Sequence, residues 1–437
     1  MELRSTLFLS NNSNILEISN TNRIFFQIIG NILYKYIHRI IMNRLIVRER
    51  YMRMLRSGRD MADVVKIVTG MRRSGKSTLL RMFMDELRAS GVSDDRILMM
   101  NFEGFDYLDI RDHRALNEVL LKKLDRDGMM YVFLDEIQNV DGWEISVSAL
   151  VETGKCDVYI TGSNSKMLSS ELSTHLSGRY VEVTVLPLSF KEYLELHSGD
   201  RGARFAEFLR YGALPEVDPA RGDEFCISQL NGIFNTVLVQ DIATRLKRAD
   251  VESIRTISRF LYSNIGNETN VERIARELGI SNDTVRKYVS MLTEAFLFHE
   301  AEKYDIVGKR ILHTNGKFYA SDLGLRNAAL GGPGLDTSRP LENTVYVELI
   351  RRGYEVRVGS YRDREIDFTA TKGGRIEYYQ VCLSMMDEST REREFRSIRD
   401  LKDYSRRMIL TTDTLGLGTE NGVDVVNVID WLTDTDD

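Results

Sequence analysis

One run of the chain does most to limit what it can fold into: Gly70-Met71-Arg72-Arg73-Ser74-Gly75-Lys76-Ser77. The apolar, β-branched segment Val64-Val65-Lys66-Ile67-Val68-Thr69 precedes it, and Thr78-Leu79-Leu80-Arg81-Met82-Phe83-Met84, with helical character, follows. Strand, glycine-rich loop and helix in that order make a phosphate cradle. Gly70 and Gly75 allow a tight loop, and the backbone N–H groups of Met71, Arg72, Arg73 and Ser74 can then point inward at phosphate oxygens. The helix N-terminus adds its positive end. Lys76 reaches the β- and γ-phosphates as a mobile charge, Ser77 offers a hydroxyl to Mg²⁺, and Thr78 stands by the α-phosphate.

About sixty residues on, a second apolar run, Met129 to Leu134, ends in Asp135-Glu136. A buried parallel strand would carry both carboxylates to its C-terminal edge, beside the loop. Asp135 is then the Mg²⁺ residue and Glu136 the group that polarises the attacking water, because phosphoryl transfer needs positioning and charge neutralisation above all. A third run, Cys156 to Thr161, leads into Gly162-Ser163-Asn164-Ser165, where Asn164 could orient that water or touch the γ-phosphate. Leu176-Ser177-Gly178-Arg179 supplies an arginine. Spacing alone leaves Arg179 open between a surface salt bridge and a transition-state contact made in trans.

Thr69 to Ser77, Tyr131 to Gln138 (YVFLDEIQ), Thr161 to Ser165 (TGSNS) and Leu176 to Arg179 (LSGR) together resemble the AAA+-type P-loop ATPases of bacteria and archaea, AAA_14-like in kind. The chain is similar to the group joining such an ATPase to a C-terminal domain of unknown function, number 4143. The resemblance runs from about Met42 to the C-terminus. It implies that Asn164 is the sensor residue and Arg179 an arginine finger. Tyr211 to Glu216 resembles the group's GG-x-P stretch, with Tyr211 in place of the first glycine, and implies a helical lid after the core.

The rest of the chain is ordinary in composition. Of 437 residues, 43% are hydrophobic and 28% charged, with a net charge of −6. A disordered chain, a collagen, a polytopic membrane protein and a basic nucleic-acid coat are excluded. Cys156, Cys226 and Cys382 have no metal-ligand or disulfide spacing, which suits a reducing cytoplasm. Residues 1–41 differ in composition, with nine Ile and no Ala, Asp or Pro. Two readings stay open there: an amphipathic N-terminal extension, or upstream sequence ahead of a natural start at Met42. Neither a membrane span nor a secretory signal fits it.

In the middle of the chain, Leu230, Ile233, Phe234, Val237 and Leu238 form a helical stripe best read as core. Val271 to Leu278, a turn at Gly279-Ile280-Ser281 and a helix from Asp283 to about Thr293 read as a helix-turn-helix. Phe296 to His299 and Arg310 to Leu312 are expected as the wing strands of a winged helix. Arg286 and Lys287 on the second helix are offset by Asp283 and Glu294, so DNA contact there is weak on charge. The last hundred residues resemble a restriction-endonuclease-like core with Asp367 in the first slot. Gln380 and Cys382 stand where a carboxylate and a lysine are needed, so a degenerate, non-catalytic nuclease fold is expected.

The expected architecture is α/β: a P-loop NTPase parallel sheet core over 42–195, a helical lid and winged helix over 196–325, and the nuclease-like α/β domain over 326–437. The expected function is ATP binding and Mg²⁺-dependent hydrolysis coupled to conformational change. Two rivals are a nucleotide switch with negligible turnover and a DNA-binding mobile-element or defence component. ATP is the expected ligand, with DNA or an unidentified protein as partner, no membrane, and self-assembly left open.

Overall fold

A computed structural model describes residues 46–124, 128–168, 176–246, 250–334 and 336–434. The readings of residues 1–41 lie outside the described residues. After α1 (Glu49–Ser57), the first layer alternates strand and helix: β1 (Val65–Thr69), α2 (Lys76–Ala89), β2 (Ile97–Asn101), α3 (His113–Lys123), β3 (Met130–Asp135), α4 (Trp143–Glu152), β4 (Cys156–Gly162) and β5 (Tyr180–Thr184). The five strands form one parallel sheet in the order β2-β3-β4-β1-β5. β1, β3 and β4 are buried throughout, which is why they read as unbroken apolar runs. Adjacent parallel strands put the C-terminal ends of β1, β3 and β4 on one edge, where ligands of open α/β sheets bind.

The chain then turns helical through α5 (Phe190–Leu196), α6 (Arg201–Tyr211) and α7 (Asp223–Thr236). The stripe from Leu230 to Leu238 is buried, as core packing requires. The regular α-helix stops at Thr236, and a π-helical turn occupies Val237–Ile242. Next come α8 (Val251–Ser263), α9 (Val271–Leu278) and α10 (Asn282–Glu294). Gly279, left-handed at φ 65°, ends α9, and the Ser281 hydroxyl caps α10 through the Thr284 N–H at 3.1 Å.

The strands expected as a wing do something else. β6 (Phe298–Asp305) and β7 (Arg310–Ala320) pair as a hairpin, but β6 also pairs in parallel with β8 (Glu355–Tyr361), on the far side of α11 (Leu323–Leu330) and α12 (Ser338–Arg351). With β9 (Arg364–Lys372), β10 (Arg375–Cys382), α13 (Glu388–Arg399), β11 (Arg406–Thr411), β12 (Gly418–Glu420), β13 (Val423–Asn427) and α14 (Val428–Thr433), the hairpin completes an eight-stranded sheet, ordered β12-β13-β11-β10-β9-β8-β6-β7.

α11 sews the helical region to this sheet. Asp322 caps α11 through the Leu325 N–H at 2.9 Å and takes the Ala213 N–H at 2.7 Å. Two glycines make the approach close enough. A Cβ at Gly212 would meet an Asp322 carboxylate oxygen at 2.3 Å, and one at Gly324 would meet the Tyr211 carbonyl at 2.0 Å. Among the described residues no helix is long and apolar enough to cross a membrane.

Candidate functional site

The loop after β1 has the backbone its sequence demands. Gly70 lies at φ 139°, and a Cβ there would sit 2.2 Å from the Val185 carbonyl oxygen. Gly75, at φ 98°, opens α2. Arg73 also takes a positive φ of 68°, which costs a side-chain-bearing residue about 1 kcal/mol, so neighbours must hold the turn. Arg48 is one of them: its guanidinium donates to the Ser74 carbonyl at 3.1 Å and grips Glu192 with two bonds of 3.0 Å.

Lys76 is buried and donates to the carbonyls of Gly70 and Met71 at 3.0 and 3.2 Å, with Glu136 at 3.5 Å. Ser77 follows it in α2, and its hydroxyl donates to Asp135 Oδ1 at 3.0 Å. Thr78 begins the next part of the same helical turn. The loop, the first turn of α2 and the tip of β3 are therefore one site.

Asp135 and Glu136 are organised by a residue that sequence reading passed over. The Thr161 hydroxyl, at the end of β4, donates to Asp135 Oδ1 at 2.6 Å and accepts the Glu136 N–H at 2.8 Å. Its place in the strand preceding Asn164 was the available signal. Glu136 is left-handed at φ 55°, a strained turn that swings its side chain off the strand direction. The carboxylate of Glu136 takes a 2.6 Å bond from Gln138. Burial pushes Glu136 up, but the charge of Lys76, the Gln138 bond and Arg72 outweigh it and hold the group below its ordinary value. Asp135 moves the other way, raised by burial against the pull of the Thr161 and Ser77 hydroxyls.

The second oxygen of Asp135, Oδ2, is buried with no hydrogen-bond partner among the described residues. An orphaned carboxylate oxygen beside a serine hydroxyl and behind a phosphate cradle is the donor set of a hard divalent cation that also carries phosphate and water ligands. The residues fit Mg²⁺ with a nucleotide.

Beside the strand tips lies a cavity of about 500 Å³, lined by Arg72, Gln138, Ser163, Asn164, Asp241 and Arg245. Asn164 is buried on its wall. Arg72 lies across it, held by Asp241 at 2.9 and 3.0 Å and by Glu103 at 2.9 Å. Asp241 belongs to the π-helical turn, so the loop is clasped by the lid; no local signal marks a partner 169 residues away. Arg179 is elsewhere. Its carbonyl accepts from Val65 at the start of β1, while the loop leaves the end of β1, roughly 15 Å along the strand. Its guanidinium pairs with Glu152. Arg179 is thus placed away from its own chain's loop, in the surface salt bridge that was one of its two readings.

Residues 62–194 match the AAA domain family. An uncharacterized protein of Haemophilus influenzae is 38% identical over 399 residues, spanning 89% of this chain and 98% of that one. The uncharacterized protein MJ1544 of Methanocaldococcus jannaschii is 30% identical over 367 residues, spanning 77% and 79%. The chain belongs to this AAA-domain family. The Aeropyrum pernix Orc1 protein, solved in complex with DNA, is 14% identical with a TM-score of 0.29, covering 66% of this chain and 93% of that one, a likeness too slight to compare sites.

The family match corrects the domain expected downstream. Residues 202–336 match a domain of unknown function, DUF8612, not number 4143, and the matches identify no restriction-endonuclease-like domain. The matched segment takes in the lid, the α9–α10 pair, the β6–β7 hairpin and α11. The strands of that hairpin complete the sheet that holds Asp367, so this sheet is not built from residues 326–437 alone.

Proposed function

We propose that this AAA-domain protein binds ATP with Mg²⁺ at the edge of the five-stranded sheet, hydrolyses it, and passes the change to the lid and the eight-stranded sheet. The observation that carries this reading is the convergence of Lys76, Ser77 and Asp135, with the unpartnered Asp135 oxygen, on one loop. In this reading the N–H groups of Gly70 to Ser74 and the start of α2 cradle the phosphates, and Lys76 exchanges the Gly70 and Met71 carbonyls for phosphate oxygens. Ser77 and Asp135 hold the Mg²⁺, which neutralises phosphate charge when bound. Glu136, kept ionised, orients a water as acceptor, and Asn164 faces the same space. Arg72 is the guanidinium near enough to exchange Asp241 for the γ-phosphate, which would release the lid as charge develops.

A buried relay supports coupling at a distance. Arg48 joins the Ser74 carbonyl to Glu192, which feels the charge of Arg351; Arg351 pairs with Glu348 at 3.0 Å on α12. Three buried free thiols suit a cytoplasmic setting.

Calorimetric titration with ATP and steady-state phosphate release test the reading together. Lys76→Ala should abolish measurable binding. Glu136→Gln should leave binding within about threefold and lower turnover roughly 10³-fold, about 4 kcal/mol of barrier. Normal hydrolysis by Glu136→Gln would remove the water-orienting role, and absent binding by the intact chain would remove the function.

A further inference from the structure

A positively charged surface lies on the eight-stranded sheet, away from the helix-turn-helix. An open groove of about 930 Å³ runs between the β6–β7 turn, the start of β10 and the loop entering β11. Lys309, Arg362, Arg375, Lys402 and Arg406 line it, all exposed. Among the described residues, only Arg406 of these has a carboxylate partner, Asp424 at 3.4 Å. The two carboxylates of the lining are turned to other work. Glu377 accepts the hydroxyls of Tyr354 and Tyr379 at 3.0 and 2.7 Å, and Asp403 accepts the Tyr378 hydroxyl at 2.7 Å. A chain of net charge −6 thus keeps five cations against two occupied carboxylates in one groove.

Aromatic rings stand among these cations. Tyr404 is fully exposed, its ring covered by none of the described residues. Tyr304 and Tyr361 line the same groove, and the Arg362 guanidinium lies 5.3 Å from the Tyr361 ring. An exposed tyrosine between unpaired arginines and lysines suits a phosphodiester backbone whose bases are free to stack. Paired bases hide their faces, so a duplex would use the charges and leave Tyr404 idle. The second helix of the helix-turn-helix has no such surplus, because Arg286 lies 4.0 Å from Asp283.

We infer that this groove binds an unpaired nucleic-acid strand, held by Lys309, Arg362, Arg375, Lys402 and Arg406 at the phosphates and by Tyr404 against a base. The inference is independent of nucleotide turnover at the other sheet.

Fluorescence anisotropy of the full chain with a labelled oligo-dT of about fifteen nucleotides tests it. Binding should weaken with salt, with a log–log slope near −3.5 for about five phosphate contacts. Arg375→Glu with Lys402→Glu should lower affinity at least tenfold and flatten the slope by about 1. Tyr404→Ala should lower affinity roughly tenfold with the slope unchanged. Circular dichroism identical to the parent chain keeps these losses from being misread as unfolding. Failure of the intact chain to bind, a preference for duplex of equal length, an unaffected Tyr404→Ala, or a loss confined to Arg286→Ala with Lys287→Ala would each overturn the groove as the site.

Discussion

Two places in this protein bring acidic side chains together beside a cavity, and the partners around them differ. At the first sheet, Asp135 and Glu136 meet a serine hydroxyl, a lysine and an arginine beside an open cavity. At the second, Asp367 and Glu342 meet groups that consume them. Asp367 accepts the Val381 N–H at 2.8 Å, and Glu342 accepts the Tyr319 hydroxyl at 2.7 Å, with Lys317 shared between Glu342 and Glu365. Burial and the neighbouring Glu342 charge push Asp367 well above the carboxylate range. Cys382, where a lysine was needed, is raised to about 12 by burial and stays a neutral thiol. Residue type nominated both sites; the partners separate them.

The sharpest way to break the comparison is at Arg72, which distinguishes the two settings by offering a cation that can change partners. Arg72→Ala should lower kcat roughly 10²-fold, about 3 kcal/mol, while the ATP dissociation constant changes much less. Phosphate release under saturating ATP reads this. Full activity in Arg72→Ala would make the arginine a lid tie alone. Asp241→Ala, which removes one of the two carboxylates that hold Arg72, should loosen the lid and leave kcat within severalfold.

How much of this was readable in the sequence follows from the range of the contacts. The loop from Gly70 to Ser77 and the tip at Asp135-Glu136 are each written in a few consecutive residues, because strand, turn and helix start are local. The pairing that lets Thr161 hold the Asp135 carboxylate and the Glu136 N–H needs β3 and β4 to be neighbours, which no single run states. The Arg72–Asp241 and Arg48–Glu192 contacts span 169 and 144 residues and carry no pattern. The β6–β7 hairpin shows the limit from the other side. Its strands were expected as a wing, but a short run does not name the next strand over, and β8 proved to be it.

A smaller effect tests the seam between the lid and the second sheet. Burial raises Asp322 to about 6, against the N–H groups of Ala213, Leu325 and Gly324, which favour the ionised form. A carboxyl raised on folding stabilises the fold below the ordinary value near 4 and loses that contribution as pH rises through 6. From this group alone, unfolding free energy should fall by about 2 kcal/mol, and no more than about 3, between pH 4 and 7. Urea unfolding of the intact chain and Asp322→Asn across that range isolates the slope, which the variant should lack. A contribution of opposite sign would mean that the three donors win over burial.

The smallest expected change is the one that most directly contrasts the two carboxylate pairs. Burial and the Glu342 charge favour the protonated form of Asp367, so Asp367→Asn should replace it by a group of nearly equal shape, with an oxygen kept for the Val381 N–H. Unfolding free energy at neutral pH should shift by less than about 1 kcal/mol, because no charge is lost and one acceptor is kept. The same substitution at Asp135 acts on a group aimed at a cation and should remove Mg²⁺-dependent nucleotide binding. If Asp367→Asn instead destabilised the chain by several kcal/mol, Asp367 would be ionised and paired, with Lys317 as its counter-charge, and the second sheet would hold a charged centre after all.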